Sequence, residues 1–175
     1  IVPTHSGPPL PGKTIVFVHA HPDDEALLTA STMARATAEG QRVVLVVATD
    51  GAAGLTSASM SGHLHLRRAA ELAASADALG VARLVQLGYQ DSGLHGEHPE
   101  GFAHADRFGV ARRIGEVLDE EQADIVVGYD PQGGYGHPDH LQVHRAVRAA
   151  ALLSQRTPRL FEATLPREPI VAAVH

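Results

Sequence analysis

The sequence has no cysteine and no tryptophan, only one lysine (Lys13), and no long apolar run. Without cysteine, neither a disulfide framework nor a thiolate metal site can form, so any metal must be held by His, Asp or Glu. Without an apolar run of roughly 20 residues, no helical membrane span is predicted. The formal net charge of −6 excludes the basic stripe that a nucleic-acid surface needs. Residues 1–12 are rich in Pro and Gly and carry no hydrophobic signal core, so they read as a flexible N-terminal segment of a cytoplasmic protein. The single lysine against thirteen arginines reads as coding bias and says little about function.

What the chain does have is histidine, twelve in 175 residues, and two short clusters of it beside carboxylates. The first is His19-Ala20-His21-Pro22-Asp23-Asp24-Glu25; the second is Gly136-His137-Pro138-Asp139-His140. Each follows a run that reads as a buried strand. Apolar β-branched runs predict strands at Thr14–His19, Arg42–Thr49, Arg83–Leu87 and Ile125–Tyr129. Helical spacing predicts helices at Glu25–Glu39, Leu66–Leu79, Val110–Glu121 and Pro138–Leu153, with Gly40 and Gly80 as stops. Asp50–Gly62 and Gly88–Phe108 read as loops, and Arg159–Leu165 and Ile170–Val174 as one or two further strands. Strand and helix alternate four times, and the strands are apolar on both faces. That pattern predicts a single α/β domain over 1–175, a three-layer αβα sandwich with a mostly parallel sheet.

In such sheets ligands bind beyond the carboxyl ends of the strands, where strand order reverses. An order 3-2-1-4 would put the loops after the first and fourth strands face to face. His21, Asp24 and His140 would then hold one divalent ion, leaving a fourth position for water, the pattern of a catalytic zinc. Zinc lowers the pKa of water from about 15.7 to about 7. Asp23 is the candidate general base. His137, one turn before His140, would stabilise an oxyanion or protonate a leaving amine, and Asp139 would orient His137. The chemistry these residues point to is metal-dependent hydrolysis. His19 is expected to be structural, and His144 to be solvated or to support a ligand. Glu25 either supports a ligand or favours the helix dipole. His5, His63, His65, His95, His98, His104 and His175 read as solvated. The dinucleotide fingerprint, the phosphate-loop lysine and the G-x-S-x-G elbow are all missing.

AHPDDE (Ala20–Glu25) followed by GHPDH (Gly136–His140) resembles the LmbE-like, or PIG-L, zinc-dependent de-N-acetylases. The likeness extends to Arg68–Leu72, Leu87–Gly93 and Tyr129–His140, the last being especially similar to mycothiol-pathway deacetylases. The resemblance implies a Rossmann-like fold and removal of acetyl from an N-acetylglucosamine unit of a larger conjugate. It implies one zinc ion on His21, Asp24 and His140, with Asp23 as base and His137, supported by Asp139, as its partner. It further implies Tyr135 near the oxyanion, and Arg68 and Asp91 on the sugar or its conjugate. As residues alone, Tyr135 could pack a loop, Arg68 could be a helix-surface charge and Asp91 a turn cap. The loop Thr49-Asp50-Gly51-Ala52-Ala53-Gly54 departs from the acidic Gly-Glu stretch of the mycothiol type, and the chain is short for the family. An amidase cleaving a larger acyl group, like the mycothiol S-conjugate amidases, and a non-catalytic sugar- or nucleotide-binding module are the rival expectations. The aglycone is not specified by the sequence.

Overall fold

A computed structural model of the chain describes residues 12–53 and 64–164. The expected strand at Ile170–Val174, the N-terminal segment expected to be flexible and most of the loop after the second strand lie outside these residues.

Among the described residues there are five strands: β1 (Thr14–His19), β2 (Arg42–Thr49), β3 (Arg83–Tyr89), β4 (Ile125–Tyr129) and β5 (Arg159–Ala163). They form one sheet in the order β3-β2-β1-β4-β5, and every pairing is parallel. The helices are α1 (Ala30–Ala38), α2 (Leu64–Ala78), α3 (Arg107–Glu120) and α4 (Pro138–Leu153), with a 3-10 turn at Phe102–His104. The expected order 3-2-1-4 is therefore found, with β5 added at the β4 edge.

Strand periodicity sorts the core into two layers. Phe17, Val43, Leu45 and Val47 face Met33 and Ala36 of α1 and Leu72 and Ala76 of α2. Val16, Val18, Val44, Val46 and Val126 face Ile114 and Leu118 of α3 and Val143 and Val147 of α4. Each such large side chain, fully buried, contributes roughly 1.5–3 kcal/mol. Because both faces are covered, β2 reads as a continuous apolar run.

Several boundaries differ from the sequence reading; α2, for one, is Leu64–Ala78 and β5 ends at Ala163. The stretch read as the start of the first helix is one π turn, Glu25–Thr29, that leads into α1. α3 starts earlier, at Arg107, because the Asp106 side chain accepts the backbone N–H groups of Phe108 and Gly109. β3 runs on to Tyr89, so that its end pairs with Thr49.

β1 and β4 are neighbours, and from β1 the chain winds outward in both directions. Their carboxyl ends, His19 and Tyr129, therefore open into the crevice where strand order reverses.

Candidate metal centre and active-site cleft

Segments more than a hundred residues apart meet in that crevice. His21 Nδ1, Asp24 Oδ2 and His140 Nε2 form a triangle with sides of 3.3 Å. Donors on one tetrahedral zinc at about 2.0–2.1 Å lie about 3.3–3.4 Å apart, so the spacing fits such an ion. The far ring nitrogens fit it too. His140 Nδ1 donates to the Gly133 carbonyl at 3.1 Å, which leaves Nε2 with its lone pair toward the triangle. His21 Nε2 donates to Asp139 Oδ2 at 3.0 Å, so its Nδ1 is the inward atom when the ring is neutral.

The supports behind these donors come from several elements. His140 is wholly buried, and the Tyr129 ring stacks on it at 4.1 Å. The Tyr129 hydroxyl donates to Asp24 Oδ2 at 2.7 Å and accepts the Ala20 N–H at 3.0 Å. The His21 N–H reaches the same Asp24 oxygen at 2.8 Å. Asp130 Oδ1 accepts the N–H groups of Gln132 and Gly134, which shapes the loop that brings the Gly133 carbonyl to His140. Ser92 grips Asp139 twice: its N–H donates at 3.1 Å and its hydroxyl at 2.5 Å. Tyr129, Ser92 and Asp130 were not singled out in the sequence. Their only signal was position, at or just after the end of a strand or inside a glycine-containing loop.

One expected pairing is corrected. Asp139 hydrogen-bonds His21 and not the His137 ring, and it is wholly buried. His137 caps α4 instead: its Nδ1 accepts the Asp139 backbone N–H at 3.2 Å. That acceptor role places the ring proton on Nε2. Burial and the neighbouring His21 and His140 rings hold the His137 pKa below its ordinary value, which favours the neutral ring.

His21, Asp23, Arg68, Asp91, Leu94, Tyr135 and His137 line a cleft of about 290 Å³. The Asp23 side chain is half exposed, and Arg68 Nη2 stands 3.4 Å from its Oδ2. Burial and the adjacent Asp24 raise the Asp23 pKa, and Arg68 opposes them. Burial alone would lower His21, but its bonds to Asp139 and Asp24 push it up to about 10. Burial would raise Asp24, but His140 and His21 hold it well below the usual carboxylate range. This excess of carboxylate is a setting built for a cation. Tyr135 is exposed, with its ring centroid 4.9 Å from that of His140. Partial burial and the nearby Asp24 push its pKa up to about 12, so it remains a hydrogen-bond donor at neutral pH.

Asp91 is buried and lies 3.7 Å from His21 Nε2. It accepts the N–H groups of Gly93 and Ala53, and so ties the β3 loop to the loop after β2. His19 sits behind the site, bonded to Thr29 at 2.8 Å, and His144 bonds the Tyr129 carbonyl at 2.9 Å. Glu25 accepts the Asp23 N–H at 3.0 Å and so supports the Asp23 backbone.

The model of the GlcNAc-PI de-N-acetylase family, PIG-L, matches residues 16–151. The chain belongs to this family. Its PIG-L relatives include the 1D-myo-inositol 2-acetamido-2-deoxy-alpha-D-glucopyranoside deacetylase of Acidothermus cellulolyticus, 37% identical over 93% of the chain and 61% of the relative. The enzyme of that name from Streptomyces avermitilis is 43% identical over 82% of the chain and 54% of the relative. Among solved structures, the N,N'-diacetylchitobiose deacetylase from Pyrococcus horikoshii superposes with a TM-score of 0.70 at 29% identity, over 82% of this chain and 51% of that one. The chain thus spans roughly half to two thirds of the proteins it matches.

Proposed function

We propose that the chain hydrolyses the acetamide of an N-acetylglucosamine-containing conjugate, releasing acetate and a free amino sugar. The observation that carries this reading is the 3.3 Å donor triangle with a half-exposed carboxylate, Asp23, at the mouth of the same cleft. Its PIG-L membership and the names of its relatives supply the amide and the sugar. A zinc ion on His21, Asp24 and His140 would polarise a carbonyl oxygen and bring the pKa of water toward neutrality.

The protein's own groups carry the protons. Asp23 takes one from the attacking water as the new C–O bond forms, and its raised pKa suits a base that must later give the proton back. The Nε2–H of His137 donates to the oxygen that gains charge, and the Tyr135 hydroxyl is placed as a second donor. The C–N bond then breaks, and the proton held by Asp23 passes to the amine. Arg68 orients Asp23 and, with Asp91, faces the bound sugar. Asp139 acts through His21. Among the described residues no helix is long and apolar enough to cross a membrane, and the expected partner is a small amino-sugar conjugate.

The test is acetate release from N-acetylglucosaminyl-inositol and from N-acetylglucosamine oligosaccharides, with zinc and with a chelator. A bulkier acyl analogue runs in parallel. Release that the chelator stops, and that falls about 10²–10⁴-fold in Asp23→Asn with the ion retained, is the expected result. No chelator-sensitive release from any of these substrates would overturn the proposal.

A further inference from the structure

The strained residue of the site is Asp23 itself, whose φ is +129°. Non-glycine residues rarely hold such an angle unless their surroundings impose it. Two contacts hold it: Glu25 of the π turn on its amide and Arg68 of α2 on its carboxylate. The amide N–H of Asp23 donates to Glu25 Oε2 at 3.0 Å. The other oxygen, Oε1, accepts the Ser75 hydroxyl at 2.7 Å. Glu25 is only 1% exposed, so its carboxylate is spent on these two bonds and is not a solvated helix-dipole charge. Ser75 lies on α2, seven residues after Arg68, so both project from the same face, two turns apart. Arg68 in turn contacts the Asp23 carboxylate at 3.4 Å. Gly51 leaves space for that arginine: a Cβ there would stand 2.7 Å from Arg68 Nη1.

We infer that α2 sets the general base by a two-point grip, Arg68 on the Asp23 carboxylate and Ser75, through Glu25, on the Asp23 amide. Glu25 is thus a positioning residue that fixes where the base points without touching substrate. The inference rests on the proposed deacetylase reading for its catalytic consequence and on geometry alone for the clamp.

Glu25→Ala removes both bonds. Glu25→Gln keeps them, with its amide oxygen accepting the Asp23 N–H and its amide nitrogen donating to a reversed Ser75 hydroxyl. The expected kcat for acetate release falls about 10–100-fold in Glu25→Ala, with KM and bound ion unchanged, and returns to within about 3-fold in Glu25→Gln. A Glu25→Gln variant as slow as Glu25→Ala, or a Glu25→Ala variant as fast as the parent, overturns the grip. A second readout needs no activity. Asp23→Gly relieves the positive φ and should raise Tm by about 2–6 °C in the parent, but not in Glu25→Ala, where the amide is already released. The same gain in both backgrounds refutes the clamp. If the parent releases no acetate, the deacetylase reading fails and the Tm pair still decides the clamp.

Discussion

Replacing Tyr129 by Phe removes one oxygen atom that supports the candidate metal centre from behind. Its hydroxyl donates to Asp24 Oδ2 at 2.7 Å, accepts the Ala20 N–H at 3.0 Å and lies 3.3 Å from His19 Nδ1. The Phe ring keeps the stacking on His140 and the packing between the layers, so the change is confined to these contacts. A hydrogen bond to a charged group contributes about 1.5–3 kcal/mol, and a buried N–H left without a partner costs about 1–3 kcal/mol. The two share one network and do not add in full, so a loss of about 2–4 kcal/mol is expected. For a chain of this length that lowers Tm by about 4–15 °C. Losing a support behind a ligand also weakens zinc binding by about 10–100-fold. Urea unfolding with chelator present gives the first quantity, and calorimetric zinc titration the second. A variant within about 0.5 kcal/mol of the parent, with undiminished zinc affinity, would refute the view that Tyr129 holds Asp24 in place.

Other consequences follow from the packing and charge. In Gly101→Ala the new Cβ would meet Ser92 Oγ at 2.5 Å and its Cα at 2.6 Å, so backbone must move; unfolding should show a loss of about 1–3 kcal/mol, and an unchanged Tm would contradict the contact. Glu121 accepts from Arg42 at 2.7 Å and Arg83 at 2.8 Å, tying β2 and β3 to the end of α3. The Arg42 bond holds its pKa below the ordinary 4.5. A depressed carboxylate stabilises the fold above its unfolded pKa, and that contribution is lost as pH falls through the folded value. Glu121→Gln should therefore cost about 1–2 kcal/mol at pH 7 and progressively less below pH 4.5, read from urea midpoints; a cost independent of pH would remove the ionic assignment. Ser92→Ala deprives Asp139 of its hydroxyl partner and should lower zinc affinity several-fold with the ligands intact; equal affinity would show that Asp139 needs no such support.

Much of this architecture was legible in the residues. The apolar runs at Arg42–Thr49 and Ile125–Tyr129 and the proline-led helix at Pro138–Leu153 have the predicted bounds, because hydrophobic continuity and a first-turn proline act locally. The meeting of the two histidine clusters followed from parallel topology, which puts every strand's carboxyl end on one side. The π turn was not legible, since Glu25–Thr29 carries the same apolar spacing as an α-helix. The partner of Asp139 was not legible, since His137 stands close to it but the carboxylate's hydrogen bond goes to His21. At a helix start the His137 side chain turns back to cap its own helix, and the Asp139 carboxylate is left to reach across to His21. Tyr129 and Ser92 were hidden for a related reason: a hydroxyl that supports a ligand leaves no spacing rule, only a partner that folding brings close.

The claim beneath all of this is that His21, Asp24 and His140 hold one ion together. X-ray absorption at the zinc edge, on protein loaded with one equivalent, addresses it most directly. The predicted spectrum has two imidazoles among light donors at about 2.0–2.1 Å, with one imidazole lost in His140→Ala. A spectrum without imidazole scattering, or one that His140→Ala leaves unchanged, would contradict it.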